Sequence, residues 1–452
     1  MANMTQDTGR KLRFPRAALA AGAVLSAFLL SACNDGNEIL VGQREELRDV
    51  LQDADSAVVV ENTERAISLG PATSNANWAQ FFGSPAVRTA HPALSAAPSL
   101  AWRNDIGQGN TRKLRISADP VVGGGRIYTL DAGAQVTATS PAGATLWTRN
   151  LAPSIEGAGD ATGGGVAYAD GRLYVGIGFG TLTALDAGTG EVVWTQNLDA
   201  SATGAPTIAG DLVYLAAGDD TGWALNKDTG RVAWQIGGAQ DVNNVLGAPS
   251  PVVTQDLAIF SFGAGDIQAV FRRGGLRRWD ANVVGERRGF ALSKIGDITA
   301  PPVVDGTQVY VGNQSGRVAA LSLGNGSRIW TANEGAIGPI WPAGDSVFFV
   351  TDRNELVRLD ASDGSRIWGV RLPNFVKDRP RRRSEVFAHF GPVVAGGRVV
   401  LTSSDGVMRS YDPKDGTLLG RVEIPSGAAT APALAGGSLY LVNTKGELLA
   451  FR

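Results

Sequence analysis

APPVVDGTQVYVGNQSGRVAALSLGNGSRIW, residues 300–330, holds the fold of this chain in a single copy. Pro302-Val303-Val304 is an apolar burst and Asp305-Gly306 a tight turn. Val309-Tyr310-Val311 follows, with β-branched and aromatic side chains that suit a pleated surface. Residues 313–316 turn the chain again, 317–321 alternate as a third strand, Gly324-Asn325-Gly326 turns once more, and Ser327-Arg328-Ile329-Trp330 closes the unit as a fourth. The turns are short and rich in Gly, Asp and Asn, which tolerate the positive φ that hairpins demand. Four antiparallel strands per unit is the economical reading.

The same rhythm recurs eight times after Ala118. First strands start near Pro120, Val166, Pro206, Pro251, Pro302, Pro339, Pro392 and Pro432, and tryptophans close the units at Trp147, Trp194, Trp234, Trp279, Trp330 and Trp368. A period of roughly 40 to 50 residues with four strands per unit predicts a β-propeller blade. The last copy stops after its third strand, while Ser99-Leu100-Ala101-Trp102-Arg103 stands upstream as an orphan fourth strand with the same Trp. Pairing the two closes the ring and removes an exposed edge. The expectation is therefore an all-β chain, an eight-bladed β-propeller over 98–452 whose last blade is shared by both ends. Two copies depart from the pattern: the seventh has Gly420 where Trp is expected, and the fourth turns through Arg272-Arg273-Gly274-Gly275.

Composition fits that architecture. The 59 glycines fall mostly at fixed turn offsets, which excludes collagen-like or disordered readings. With 41 basic and 43 acidic residues the net charge is −2, and nothing in that balance favours nucleic acid. The N-terminus reads as a targeting segment. Arg10, Lys11, Arg13 and Arg16 precede an apolar run over 17–30 that is short for a membrane span, and Leu30-Ser31-Ala32-Cys33 looks like a bacterial lipobox. Residues 1–32 are then a lipoprotein signal peptide, and Cys33, the chain's single cysteine, carries the lipid. Each buried methylene of such an anchor contributes about 0.8 kcal/mol. Residues 33–97 are expected to form a lipidated tether, a flexible reach between membrane and propeller.

Reactive chemistry is sparse. The two histidines, His91 and His389, stand apart and have no neighbouring Cys, so both read as loop or surface residues. No GxSxG elbow, P-loop, HExxH or EF-hand loop occurs, and Gly176-Ile177-Gly178-Phe179-Gly180 lacks dinucleotide spacing. Of the ten tryptophans most close fourth strands, so packing between blades outweighs carbohydrate stacking. No catalytic residue, metal site or cofactor is expected.

The blades differ most in their connections. Insertions follow the closing Trp at 148–162, 235–247, 280–299 and 369–390, and links from a fourth strand to the next first strand emerge on one face of the disc. That face is the expected binding surface. Arg277, Arg278, Arg287 and Arg288 flank one insertion; Lys377, Arg379, Arg381, Arg382 and Arg383 crowd another, bracketed by Phe375 and Phe387. Arg and aromatics are typical interface anchors, and the candidate partners are an acidic protein or a lipid headgroup.

The repeat PVVxxGxxVYVGxxxGxxxALxxxxGxxxW resembles the PQQ-like propeller repeat, and with the lipobox the chain from Cys33 to Arg452 is similar to the BamB family, lipoprotein subunits of the β-barrel assembly machinery. The resemblance implies a non-catalytic scaffold at the periplasmic face of the outer membrane. It would bind the POTRA domains of a BamA-like barrel protein and other subunits of the machinery. Asn34 after the lipobox is consistent with outer-membrane sorting in such lipoproteins. In the family, charged residues of neighbouring inter-blade loops make the partner contact. Asp297 in GDITAPPVV matches an acidic position of that kind, whereas Asn243 and Asn244 stand where the family carries a leucine-and-arginine stretch and do not match it. The candidate partner-binding residues are thus Asp297, Asn243, Asn244, Arg287, Arg288, Arg381 and Arg382. Two alternatives remain: a tethered module for polysaccharide or another envelope protein, and a quinoprotein dehydrogenase, whose adjacent cysteines and Ca²⁺ ligands find no match here.

Overall fold

A tryptophan in nearly every fourth strand explains why the repeats close on themselves. The computed structural model describes residues 61–84, 91–154, 162–239, 249–285, 298 and 300–452. Among them, eight four-stranded antiparallel sheets follow one another along the chain, so the protein is an all-β, eight-bladed β-propeller. Blade 5 is typical, with strands Val303–Asp305, Gln308–Asn313, Arg317–Ser322 and Arg328–Ala332. Its second and third strands are buried on both faces because a blade packs on either side, while the fourth alternates with solvent.

Trp330 lies against Tyr310 of its own blade, ring centroids 6.0 Å apart, and its Nε1–H donates to the Ala361 carbonyl of blade 6 at 2.9 Å. The indole sits flat on the third turn of that next blade, where a Cβ on Gly364 would come within 2.5 Å of the ring. Trp147, Trp194, Trp234, Trp279 and Trp368 repeat the bond, to Ala187, Lys227, Arg272, Leu323 and Pro413. Blades 1 to 6 are thereby each docked on the next by one buried or half-buried ring and one hydrogen bond. A small residue faces the Trp across the third strand: Ala138, Ala184, Ala224, Ala269 and Ala320 are the registered partners.

Ring closure follows the sequence expectation. Leu100–Asp105 pairs with Glu447–Phe451, Trp102 opposite Ala450, and Ser99 and Arg452 exchange backbone bonds at 2.7 and 2.9 Å. Trp102 then donates to Pro141 of blade 1 at 3.1 Å. Closure also accounts for Gly420. Blade 7 would dock its tryptophan on the third turn of blade 8, but blade 8 takes its fourth strand from the other end of the chain and has no such turn. The aromatic is missing where there is nothing to receive it.

The stretch expected to be a loose reach behaves otherwise where it is described. Residues 61–84 and 91–97 lie along the disc as a strap. Thr63 N–H donates to Ile367 O, Gly436 N–H to Asn75 O, and Trp78 and Val122 exchange backbone bonds at 2.8 Å. Gln80 bonds both backbone groups of Ile208 through its side chain, at 3.1 and 2.9 Å. For Trp78 and Gln80 the physical reason is the inner strand of blades 1 and 3, which is hydrogen-bonded on one side only within its sheet and leaves polar backbone groups facing the axial channel. Trp78 is buried and stacks on Trp341 of blade 6, centroids 6.4 Å apart and rings 2° from parallel. The contacts at Val122, Ile208, Trp341 and Gly436 fall on first strands and first hairpins of their blades, whereas Thr63 meets Ile367 in the fourth strand of blade 6. Cys33, with the rest of residues 1–60, lies outside the described residues.

Candidate partner-binding face

The links from fourth to first strands leave one face of the disc, and the 6-to-7 link builds the most defined object on it. Residues 374–387 form a small hairpin: Phe375 and Val386 bridge, Val376 N–H donates to Glu385 O at 3.0 Å, and Phe387 N–H to Asn374 O at 2.8 Å. Asn354 Nδ2 ties it to blade 6 through Asn374 Oδ1 at 3.1 Å. A single 3₁₀ turn, Pro380–Arg382, makes the tip. Arg383 braces it internally, its guanidinium 4.9 Å above the Phe375 ring and bonded to Asp378 at 3.0 Å. Lys377, Arg379, Arg381 and Arg382 are exposed and make no ion pair with a described residue. Five cations against two carboxylates in this stretch leave it strongly positive.

Beside the hairpin the axial channel opens into a cup of about 790 Å³. Its wall takes Ile116 from the approach to blade 1, Ile337 from the 5-to-6 link, and Val376, Val386 and Phe387 from the hairpin; Phe81 of the strap also lines it. Ile337, Val376 and Val386 are 44%, 39% and 53% exposed, a cluster of aliphatic surface at the mouth. Polar groups sit deeper. Asp119, before the first strand of blade 1, accepts the Ala431 N–H of blade 8 at 2.8 Å. Water reaches it through the cup, yet the surrounding protein desolvates the carboxyl and raises it from 3.8 to about 7. The folded chain therefore binds this proton more readily than the unfolded one. Its contribution to stability is full below about pH 4 and fades as pH rises toward 7. Asp119→Asn, whose amide oxygen can still accept from Ala431, should flatten that slope; thermal midpoints of both chains between about pH 4 and 8 measure it.

His389 is buried at the start of blade 7. Its Nε2–H donates to the Pro373 carbonyl at 2.8 Å, so Nδ1 is the acceptor, 2.7 Å from Ser403 Oγ. Burial lowers its pKa and keeps it neutral, a structural histidine holding the hairpin's base. His91 likewise uses both nitrogens, on Gly70 O and Gly397 N–H. Among the described residues no three His, Cys, Asp or Glu side chains gather as a metal site.

Of the residues expected to meet a partner, Arg381 and Arg382 stand exposed on the hairpin tip. Asn243, Asn244, Arg287, Arg288 and Asp297 lie outside the described residues. Sequence reasoning missed Asp119 and the cup. The cup's lining comes from several blades and the strap, and no linear pattern joins such residues.

Comparison with known proteins places this architecture. The family model described as outer membrane protein assembly factor BamB matches residues 132–370 and 350–452. The outer membrane protein assembly factor BamB of Shewanella oneidensis is 22% identical over 359 residues, covering 78% of this chain and 88% of that one. The corresponding protein of Yersinia pestis is 22% identical over 361 residues, with 78% and 89% covered. Among solved structures, BamB from Moraxella catarrhalis aligns with a TM-score of 0.65 at 19% identity, over 79% of this chain and 100% of the other. A quinohemoprotein alcohol dehydrogenase from Comamonas testosteroni aligns with 0.64 at 17% identity, over 84% and 81%. Near-equal scores for an assembly factor and an oxidoreductase mean that the ring alone selects no function.

Proposed function

Because the chain belongs to the family of the outer membrane protein assembly factor BamB, we propose that it is a non-catalytic scaffold of outer-membrane protein assembly, docking by its inter-blade face on the POTRA domains of a BamA-like barrel subunit. The observation that carries this reading is the family match, which spans the repeats from blade 1 to the C-terminus. The hairpin supports it: exposed arginines on a braced loop, beside aliphatic surface, have the composition of a protein interface. Asn243, Asn244, Arg287, Arg288 and Asp297 occur in the neighbouring 3-to-4 and 4-to-5 links and are proposed as part of the same contact. Cys33 is proposed as the lipidated residue, with 33–97 as the segment joining anchor and disc and the periplasmic side of the outer membrane as the location.

Affinity purification of the acylated chain from solubilised outer membranes is expected to recover a POTRA-containing barrel protein. Its reproducible absence would sink the scaffold reading and favour a tethered module for another envelope component. Adding pyrroloquinoline quinone, Ca²⁺ and an artificial electron acceptor is expected to give no alcohol or sugar oxidation; turnover would return the chain to the oxidoreductases.

A further inference from the structure

The hairpin and the cup are one surface. Val376 and Val386 flank the cationic tip in sequence and line the cavity at the same time, so a polypeptide segment laid across the tip also reaches the mouth. Phe81 places the strap within that lining, and the strap residues Trp78 and Gln80 cross the channel beyond it. A cavity backed in this way suits a side chain inserted from one face better than a strand threaded through the ring. Its size is that of a small-ligand site, yet its mouth is broad and aliphatic; Arg115, Asp119 and Glu385 are the charged residues that line it, and the exposed Lys377, Arg379, Arg381 and Arg382 stand on the hairpin beside it.

We propose that the cup and the hairpin tip form a single docking site for an acidic segment of a partner protein, with one large apolar side chain of that segment seated in the cup and flanking carboxylates on Arg381 and Arg382. The inference refines the docking face proposed above and rests on it. Charge complementarity decides the occupant. Four cations without a described ion-pair partner repel a basic segment, and a neutral one would leave them unused. The aliphatic mouth adds what charge alone does not supply, an apolar anchor excluded from water at the centre of a polar rim.

The test uses fluorescein-labelled synthetic peptides and the full chain. One peptide carries a single Trp among Asp and Glu, a second replaces the Trp by Ala, and a third places the Trp among Lys. The acidic Trp peptide is expected to bind. Its dissociation constant should rise about tenfold or more in the Arg381→Glu/Arg382→Glu chain, in Val386→Asp, and when the peptide lacks its Trp. All three substituted positions are exposed, so unchanged circular dichroism and thermal midpoints are expected to accompany the loss; Val376→Asp is the second cup variant should Val386→Asp disturb the hairpin. Equal affinity for the lysine peptide, or indifference to both cup variants, overturns the inference. So does binding of phosphatidylglycerol vesicles through the same arginines with no competition from the acidic peptide. Barrel-protein recovery is scored in parallel: its loss in the unaltered chain counts against the docking face itself, whereas recovery without peptide binding counts against this inference alone.

Discussion

Replacing Arg358 by methionine is expected to destabilise the propeller by about 3–5 kcal/mol and to release the strap from blade 6. Arg358 occupies the third-strand position opposite Trp368, where most blades carry alanine, and it is wholly buried. Its guanidinium is consumed by the neighbouring chain: Nη1 donates to Arg65 O at 2.6 Å and to Pro413 O at 3.0 Å, Nη2 to Ala66 O at 3.3 Å, and Nε to Ser346 Oγ at 2.8 Å. Methionine fills most of the volume but donates nothing, so the strap carbonyls of Arg65 and Ala66 lose this donor away from water, whereas Pro413 O in the blade 7 turn keeps the Trp368 indole N–H. The sole carboxylate paired with Arg358 among the described residues, Asp345, is half exposed and keeps Arg65 at 2.6 Å, so it contributes little to the loss. Chemical denaturation reads the stability change, and limited proteolysis across 61–70 reads the strap. Arg65→Ala removes only the outer ion pairs with Asp345 and Asp360 and should cost far less. Equal losses for the two variants would mean that the buried carbonyls find other donors.

Arg358 also marks where sequence reasoning fell short. The blade pattern was legible because nearly every copy obeys the same two constraints, a turn glycine and a closing tryptophan, which repeat at fixed offsets. The strap obeys neither. It meets the disc through single residues, such as Trp78 on Val122, Gln80 on Ile208 and Asn75 on Leu434, whose partners lie in different blades. No periodicity can announce such contacts. One local signal was available: ELVRLD, Glu355–Asp360, puts a charged residue inside a strand whose counterparts TLTALD and RVAALS are apolar there. A charge in a doubly buried strand requires an external set of acceptors, and here the strap carbonyls supply part of it. For the candidate site, the arginines of the 6-to-7 link were legible as composition, whereas the cup needed the ring to be built before its walls met.

Trp330→Ala and Gly420→Trp should behave as opposites of unequal size. Removing the indole empties a site between blades 5 and 6, strips the Ala361 carbonyl of its donor and leaves Gly364 facing a void, at a cost of about 3–5 kcal/mol. Installing the missing indole in blade 7 should return almost nothing. A Cβ on Gly420 meets no atom within 4 Å, and blade 8, completed by Leu100–Asp105, presents neither the turn glycine nor the turn carbonyl that other blades offer. Docking energy between blades thus belongs to a pair, the ring on one blade and the bare turn on its neighbour. Blade 8 itself is held together by the strand pairing of residues 100–105 with 447–451, and onto blade 1 by Trp102 on the Pro141 carbonyl and by the Asp119–Ala431 bond. Denaturant midpoints of the two variants against the parent test this directly. A gain for Gly420→Trp comparable to the loss for Trp330→Ala would show that the ring packs for its area alone and that the turn is incidental.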